Sequence, residues 1–304
     1  MKKLYYSILC LLIFAACETN IDVDLPEYKE RLVIEGYIEN GIVPYVIMTK
    51  SIPYFSTISV SADELLEKLI VADAKVTVTA KSTGEVQDLK FQLDPESPMI
   101  FSYKGTIPGK INETYELKIE WDNKIYTATT SIVEPFDLDS IWLHKSQSTD
   151  TTGGIRVLLS DNPYKTDYYQ FFVKVKNGKL LTDKLWVYTL PLSFDDATFN
   201  GLTFIYEVVR GTPSNLFAFE MTDEDRKKYY RSHYIVGDTI IVKHSLMDYA
   251  SYRFWSTAMN EISFGQNAFM TAPPIATNIK CNTKEPVLGV WCGYASKSDT
   301  LIFR

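Results

Sequence analysis

The sequence predicts a mainly β protein built of two β-sandwich domains, the second carrying one or two inserted helices. Three observations lead there. Short runs of alternating apolar and polar residues recur along the chain, each bounded by Gly, Asn, Asp or Pro. Twenty Tyr and sixteen Phe stand against fourteen Gly, and aromatic side chains favour the pleated, half-buried surface of a sheet. Pro135, in the segment VEPFDLDS (Val133 to Ser140), interrupts the strand pattern, and a new apolar run opens at Ile141. A chain of 304 residues is long enough for about two domains. Its 46% hydrophobic and 23% charged composition is that of a chain able to build a core.

The first residues read as an export signal. Lys2 and Lys3 form a positive start, and Leu4 to Ala16 carries no charge. That stretch is about 13 residues, whereas a membrane-spanning helix needs about 20. It ends in Phe14-Ala15-Ala16-Cys17, which resembles a bacterial lipobox, although Phe14 stands where Leu is more usual. Residues 1–16 are therefore expected to be removed and Cys17 to become a lipidated N-terminus. Acyl chains contribute about 0.8 kcal/mol per buried CH₂, so two or three chains anchor stably. Residues 17–29 form an acidic tether, with Glu18, Asp22 and Asp24 close to the cysteine.

The first domain is expected over 30–134. Two apolar runs flank Asn40-Gly41, a hairpin signal. Ser61 to Ile70 reads as a short amphipathic helix, with Glu64 three residues after a capping Ser61. The next strands flank a turn at Gly84, then come MIFSYKG and the alternating Tyr115, Leu117, Ile119 and Trp121, with a turn at Asp122-Asn123. Six or seven short strands in this span predict an immunoglobulin-like sandwich. Tyr115 is either a corner tyrosine of such a domain or a core aromatic.

The second domain is expected over 135–304. Asp161-Asn162-Pro163 and Asn177-Gly178 mark turns, and TFIYEVVRG and GDTIIVKHSL are strands. One helix is expected near 222–232. A longer one is expected over 245–262, with Met247, Ala250, Phe254, Ala258 and Ile262 on its core face. EPVLGVWCGY and SDTLIFR read as a closing hairpin.

Cysteine usage follows from export. Cys10 leaves with the signal and Cys17 carries lipid, so Cys281 and Cys292 remain. Two such thiols in an exported chain read as a disulfide. A metal site is the poorer reading, because no His lies near them in sequence. His144, His233 and His244 sit in no metal-binding spacing, and no nucleophile elbow, phosphate loop or dinucleotide fingerprint occurs. Asp195-Asp196 presents adjacent carboxylates, but beside Asn200-Gly201 it reads as turn chemistry rather than Ca²⁺ binding. No cofactor is implied. The net charge of −7 argues against nucleic acid as a partner. Asp-Ser/Thr-apolar triplets make Ser140, Thr151, Thr239 and Thr300 candidate O-glycosylation sites.

An ordered set of segments carries a family resemblance: IDVDLP (Ile21 to Pro26), Leu32 to Phe55, FDDATFNG (Phe194 to Gly201), Gly237 to Trp255, and NAFMTAPPIATNI with VLGVWCGYAS. Together they resemble the domain of unknown function 4249 family, lipoproteins of Bacteroidota. Asn267-Ala268-Phe269 and Val290-Trp291 depart mildly from its pattern. In such lipoproteins acidic residues beside the lipidated cysteine resemble a signal for surface display, here carried mainly by Glu18. The resemblance implies no assigned activity. It implies an outer-membrane protein anchored in lipid through acylated Cys17, more on the cell surface than facing the periplasm. It also implies a TonB-dependent outer-membrane receptor as partner, in nutrient capture. The expectation is thus a non-enzymatic accessory or binding protein, with a surface adhesin or structural envelope protein as the alternative and an envelope hydrolase behind both.

Overall fold

The computed structural model describes residues 30–51, 68–94, 101–146, 151–178, 183, 185–210, 233–264 and 274–304. The protein is mainly β, with one large sheet and a second, smaller one. The signal peptide, Cys17, the tether and the helix expected near 222–232 lie outside the described residues, as does most of the helix expected over Ser61 to Ile70.

Hairpins form where the turn chemistry says they should. β1 (Leu32–Glu39) and β2 (Ile42–Lys50) pair across Asn40-Gly41, with Gly41 at a φ of 75°. β3 (Lys75–Ala80) and β4 (Val86–Leu93) flank Gly84, and β5 (Phe101–Lys104) pairs with both β4 and β2. β6 (Glu113–Trp121) and β7 (Lys124–Ile132) meet at Asp122-Asn123, both at positive φ, the twist-matched hairpin turn. Next come β8 (Ser140–Lys145), β9 (Thr152–Ser160), β10 (Tyr168–Val175), β11 (Val187–Tyr188) and β12 (Phe194–Asp195). β13 (Thr203–Val208), β14 (Tyr234–Ile235), β15 (Thr239–Met247), helix α1 (Tyr249–Phe264), β16 (Lys280–Cys281) and β17 (Leu288–Ile302) complete the order.

The large sheet runs β11-β10-β15-β17-β1-β2-β5-β4-β3-β6-β7-β16, with β12 beside β10. The smaller sheet has β9 at its centre, flanked by β13, β14 and β8. β17 joins the two parts of the chain. It pairs in parallel with β1 from Val33↔Leu288 to Glu39↔Tyr294, and antiparallel with β15 from Met247↔Tyr294 to Thr239↔Ile302. Residues before and after Val133–Ser140 therefore share one sheet, and Arg31 to Arg304 forms one compact unit. The closing hairpin expected over Glu285 to Arg304 is instead this single strand. Its polar stretch Lys297 to Thr300 stays in the ladder because β15 supplies the backbone partners, while Lys297, Ser298 and Thr300 are exposed.

Period-two alternation sends each central strand to both faces. Ile34, Ile38, Trp291, Ala295, Val242, Leu246, Phe171 and Val173 belong to the main core. Tyr37, Cys292, Tyr294, Met247 and Phe172, their neighbours in sequence, form a second cluster on the opposite face. Trp291 is fully buried and its indole N–H donates to the Tyr115 carbonyl at 3.2 Å, tying β17 to β6. Two glycines let β1 and β17 approach. A Cβ on Gly36 would stand 2.7 Å from the Trp291 ring, and Gly289, at a φ of +113°, would place one 1.7 Å from the Ile34 carbonyl oxygen.

Tyr115 is buried, and its hydroxyl accepts the Lys110 backbone N–H at 2.8 Å, the geometry of a tyrosine corner. It is a core aromatic whose hydroxyl also holds the backbone five residues upstream. Helix α1 begins four residues later than expected, because Ser245 to Met247 still belong to β15. Asp248 sets the start: its carboxylate accepts the Ser251 N–H at 2.8 Å as an N-cap, and also accepts from Thr130 Oγ1 at 2.7 Å and the Ser131 N–H at 3.0 Å on β7. Among the described side chains of the helix the buried ones are Ser251 and Trp255, one turn apart and offset by one residue from the expected stripe, whose Ile262 lies outside that description.

Candidate functional site

The second face of the large sheet carries a cavity of about 320 Å³, at the small end of the range for small-molecule sites. Alternation builds it. Tyr37 and Glu39 come from β1, Val43 and Tyr45 from β2, Lys104 from β5, Phe172 and Lys174 from β10, Lys243 from β15, and Tyr294 and Ser298 from β17. Asp94 follows β4, and Leu185, Trp186 and Tyr188 close the far side. Helix α1 supports this wall from behind: Trp255 packs on Tyr188 at a ring separation of 4.7 Å, and Tyr252 stacks on Tyr168.

The aromatic rings form a continuous contact chain. Tyr37 packs on Tyr45 at 5.2 Å and on Tyr294 at 5.9 Å, and Phe172 meets Tyr294 edge-on at 5.4 Å and Tyr188 at 5.1 Å. Such pairs contribute about 0.5–1.5 kcal/mol each beyond area burial, so the cavity walls are rigid before anything binds. The Tyr37 hydroxyl bonds the Glu35 carboxylate and lies 3.0 Å from the Tyr188 hydroxyl. Burial pushes the Glu35 carboxyl above its usual range, against the pull of the Tyr37 bond. Burial, then the Glu35 charge, pushes the Tyr37 and Tyr188 phenols up, so both stay neutral donors.

Charged groups sit at the rim in preformed pairs. Lys243 Nζ lies 2.8 Å from Glu39 Oε2, and both side chains are mostly buried. The same ammonium stands 4.5 Å from the Phe172 ring centre and 4.7 Å from that of Trp186. Lys104 Nζ lies 3.2 Å from Asp94 Oδ2. Lys174 Nζ stands 5.8 Å from the Trp186 ring. Fixed aromatic faces and oriented charges can hold a small molecule; among the described residues no grouping of His, Cys, Asp or Glu is arranged to hold a metal ion.

The residues singled out by sequence lie elsewhere. Cys281 and Cys292 do not form the expected disulfide; both are free and buried. Cys281 pairs across from Tyr126 in the main core, whereas Cys292 pairs across from Tyr37 and faces the second cluster. Close spacing in sequence could not show that the two residues occupy opposite faces. Burial pushes the Cys292 thiol up to about 12, which leaves it protonated and inert. Ser140, Thr151 and Thr300 are exposed and Thr239 is half-buried; the first two and Thr239 stand at or beside the start of a strand, whereas Thr300 lies inside β17, opposite Ile241. Asp196 accepts the Asp167 N–H at 2.8 Å, and Asp195 accepts from Ala197 N–H and from the Tyr252 hydroxyl at 2.8 Å. The pair is thus used in one local turn and in packing between distant segments. His144 lies 2.7 Å from Glu207, which also binds Arg156, and His244 is buried between Phe136 and Phe171.

None of the cavity residues was singled out from the sequence. The signal was present as charge inside apolar strands: Glu35 and Glu39 around Tyr37, and Lys174 and Lys243 within otherwise hydrophobic runs.

Fold and site together define a mainly β protein with a rigid aromatic cavity on the second face of its main sheet. The chain belongs to the family described as Domain of unknown function (DUF4249), which matches residues 18–300, nearly its whole length. A search of the curated proteins returns no match.

Proposed function

We propose that the protein is a lipid-anchored, non-enzymatic binding component of the outer membrane, which captures a small cargo for a TonB-dependent receptor. The observation that carries this reading is the cavity: aromatic walls fixed by ring contacts, with charged groups already oriented at its rim. Nucleophile–base pairs are not what lines it; its carboxylates Glu39 and Asp94 each engage a lysine. The lipobox ending in Cys17 supports the anchor, and the acidic Glu18 beside it supports surface display. The same reading takes the first seven strands as an immunoglobulin-like scaffold, supported by the Tyr115 corner.

Affinity purification of the full chain from native membranes in mild detergent tests the partnership. A large β-barrel receptor is expected to co-purify, and Cys17→Ser is expected to move the chain out of the detergent phase. Binding to cell-surface glycan or protein with no receptor recovered would favour an adhesin instead.

A further inference from the structure

We propose that the cavity takes a small organic anion with a flat apolar body, its anionic head seated between Lys174 and Lys243 beside Trp186. This rests on reading the cavity as the cargo seat and adds the class of cargo.

Among the residues that line the cavity, three lysines stand against two carboxylates. Glu39 and Asp94 face it with Lys243 and Lys104 already paired to them. Lys174 is the third ammonium, and its contact is the Trp186 ring; among the described residues it has no carboxylate partner. The excess positive charge therefore sits at the Trp186 end. Lys243 adds to it there, since one ammonium has three donors and only one points at Glu39. Burial, then the Glu35, Glu39 and Asp94 charges, raises the Tyr45 phenol, so Tyr45 meets the cavity as a neutral ring. The lysine of the lining that lacks a carboxylate thus stands beside Trp186, next to Lys243.

An anion entering head-first at Trp186 gains two charge-assisted hydrogen bonds in a place shielded by aromatic rings. Its body then lies against the rings of Tyr37, Tyr45, Phe172 and Tyr188, which offer flat apolar faces. A volume of about 320 Å³ limits that body to one or two rings. An uncharged sugar would leave the Lys174 charge without a partner and offers no flat apolar face of comparable area.

Isothermal titration of the full chain in mild detergent tests this, with cinnamate, its uncharged isostere cinnamamide, and maltotriose as probes. Cinnamate is expected to bind at least about tenfold more tightly than cinnamamide, the difference one charged hydrogen bond makes. Lys174→Met is expected to narrow that gap severalfold at unchanged melting temperature, since Lys243 still meets the head, and Lys174→Arg to keep it. Cinnamamide or maltotriose binding as tightly as cinnamate overturns the anion class and leaves the cargo seat standing. An anion preference as large in Lys174→Met as in the wild type overturns the placement of the head. No binding of any probe overturns the cargo seat itself, and the anion class with it.

Discussion

His244 illustrates what a single residue can carry in this protein. Its ring is buried against Phe136 at a centre separation of 4.7 Å, with Nε2 at 3.3 Å from Asp299 Oδ2 and Nδ1 unpartnered. Burial holds its pKa below the ordinary 6.5, although Asp299 pulls the other way. A histidine with a lowered folded-state pKa binds fewer protons than the unfolded chain does, so folding opposes its protonation. Its stabilisation is present above about pH 6.5 and is lost as pH falls from there through the lower folded-state value. His244→Phe is expected to flatten the dependence of melting temperature on pH below that point, measured by thermal unfolding across a pH series. Nothing in the sequence around His244 distinguished it from a strand-end histidine. Its environment comes from Phe136 and Phe171, far away in the chain. Tyr115, by contrast, was legible as a core aromatic from the alternation of its own strand, and its hydroxyl bonds a near neighbour, Lys110.

At the scale of elements, local chemistry was legible and tertiary capping was not. Asn40-Gly41, Gly84 and Asp122-Asn123 turn where the sequence places them, since each requires positive φ that its residues supply cheaply. The start of helix α1 was misplaced because apolar spacing continues smoothly from β15 into the helix. What separates them is Asp248, whose two oxygens serve the helix N-terminus and β7 at once. Asp248→Ala is expected to cost about 1–2 kcal/mol as a lost cap, read from the denaturation midpoint. Asp248→Asn should recover part of it, because an amide oxygen still caps. The disulfide failed for a related reason: strand parity decides which face a residue takes, and the parity of Cys281 and Cys292 depends on partners chosen by the whole sheet.

Over the whole molecule, β17 is the organising strand. Its first half pairs in parallel with β1 and its second half antiparallel with β15, which sets the first and last of the described strands side by side within one sheet. That pairing is non-local, and no periodicity in the sequence predicts it. It also creates the cavity, because Tyr37, Lys243 and Tyr294 meet only once β1, β15 and β17 are neighbours. A mainly β chain of short strands was legible throughout; the face on which the chain would leave a cavity was not. The central claim is that this face holds a cargo. The most direct measurement is mass spectrometry of small molecules extracted from the full chain purified from its own membranes, wild type against Ser298→Trp, which fills the cavity from an exposed strand position. A small molecule enriched with the wild type and absent from an equally stable Ser298→Trp is the expected result, and identical extracts from the two would contradict it.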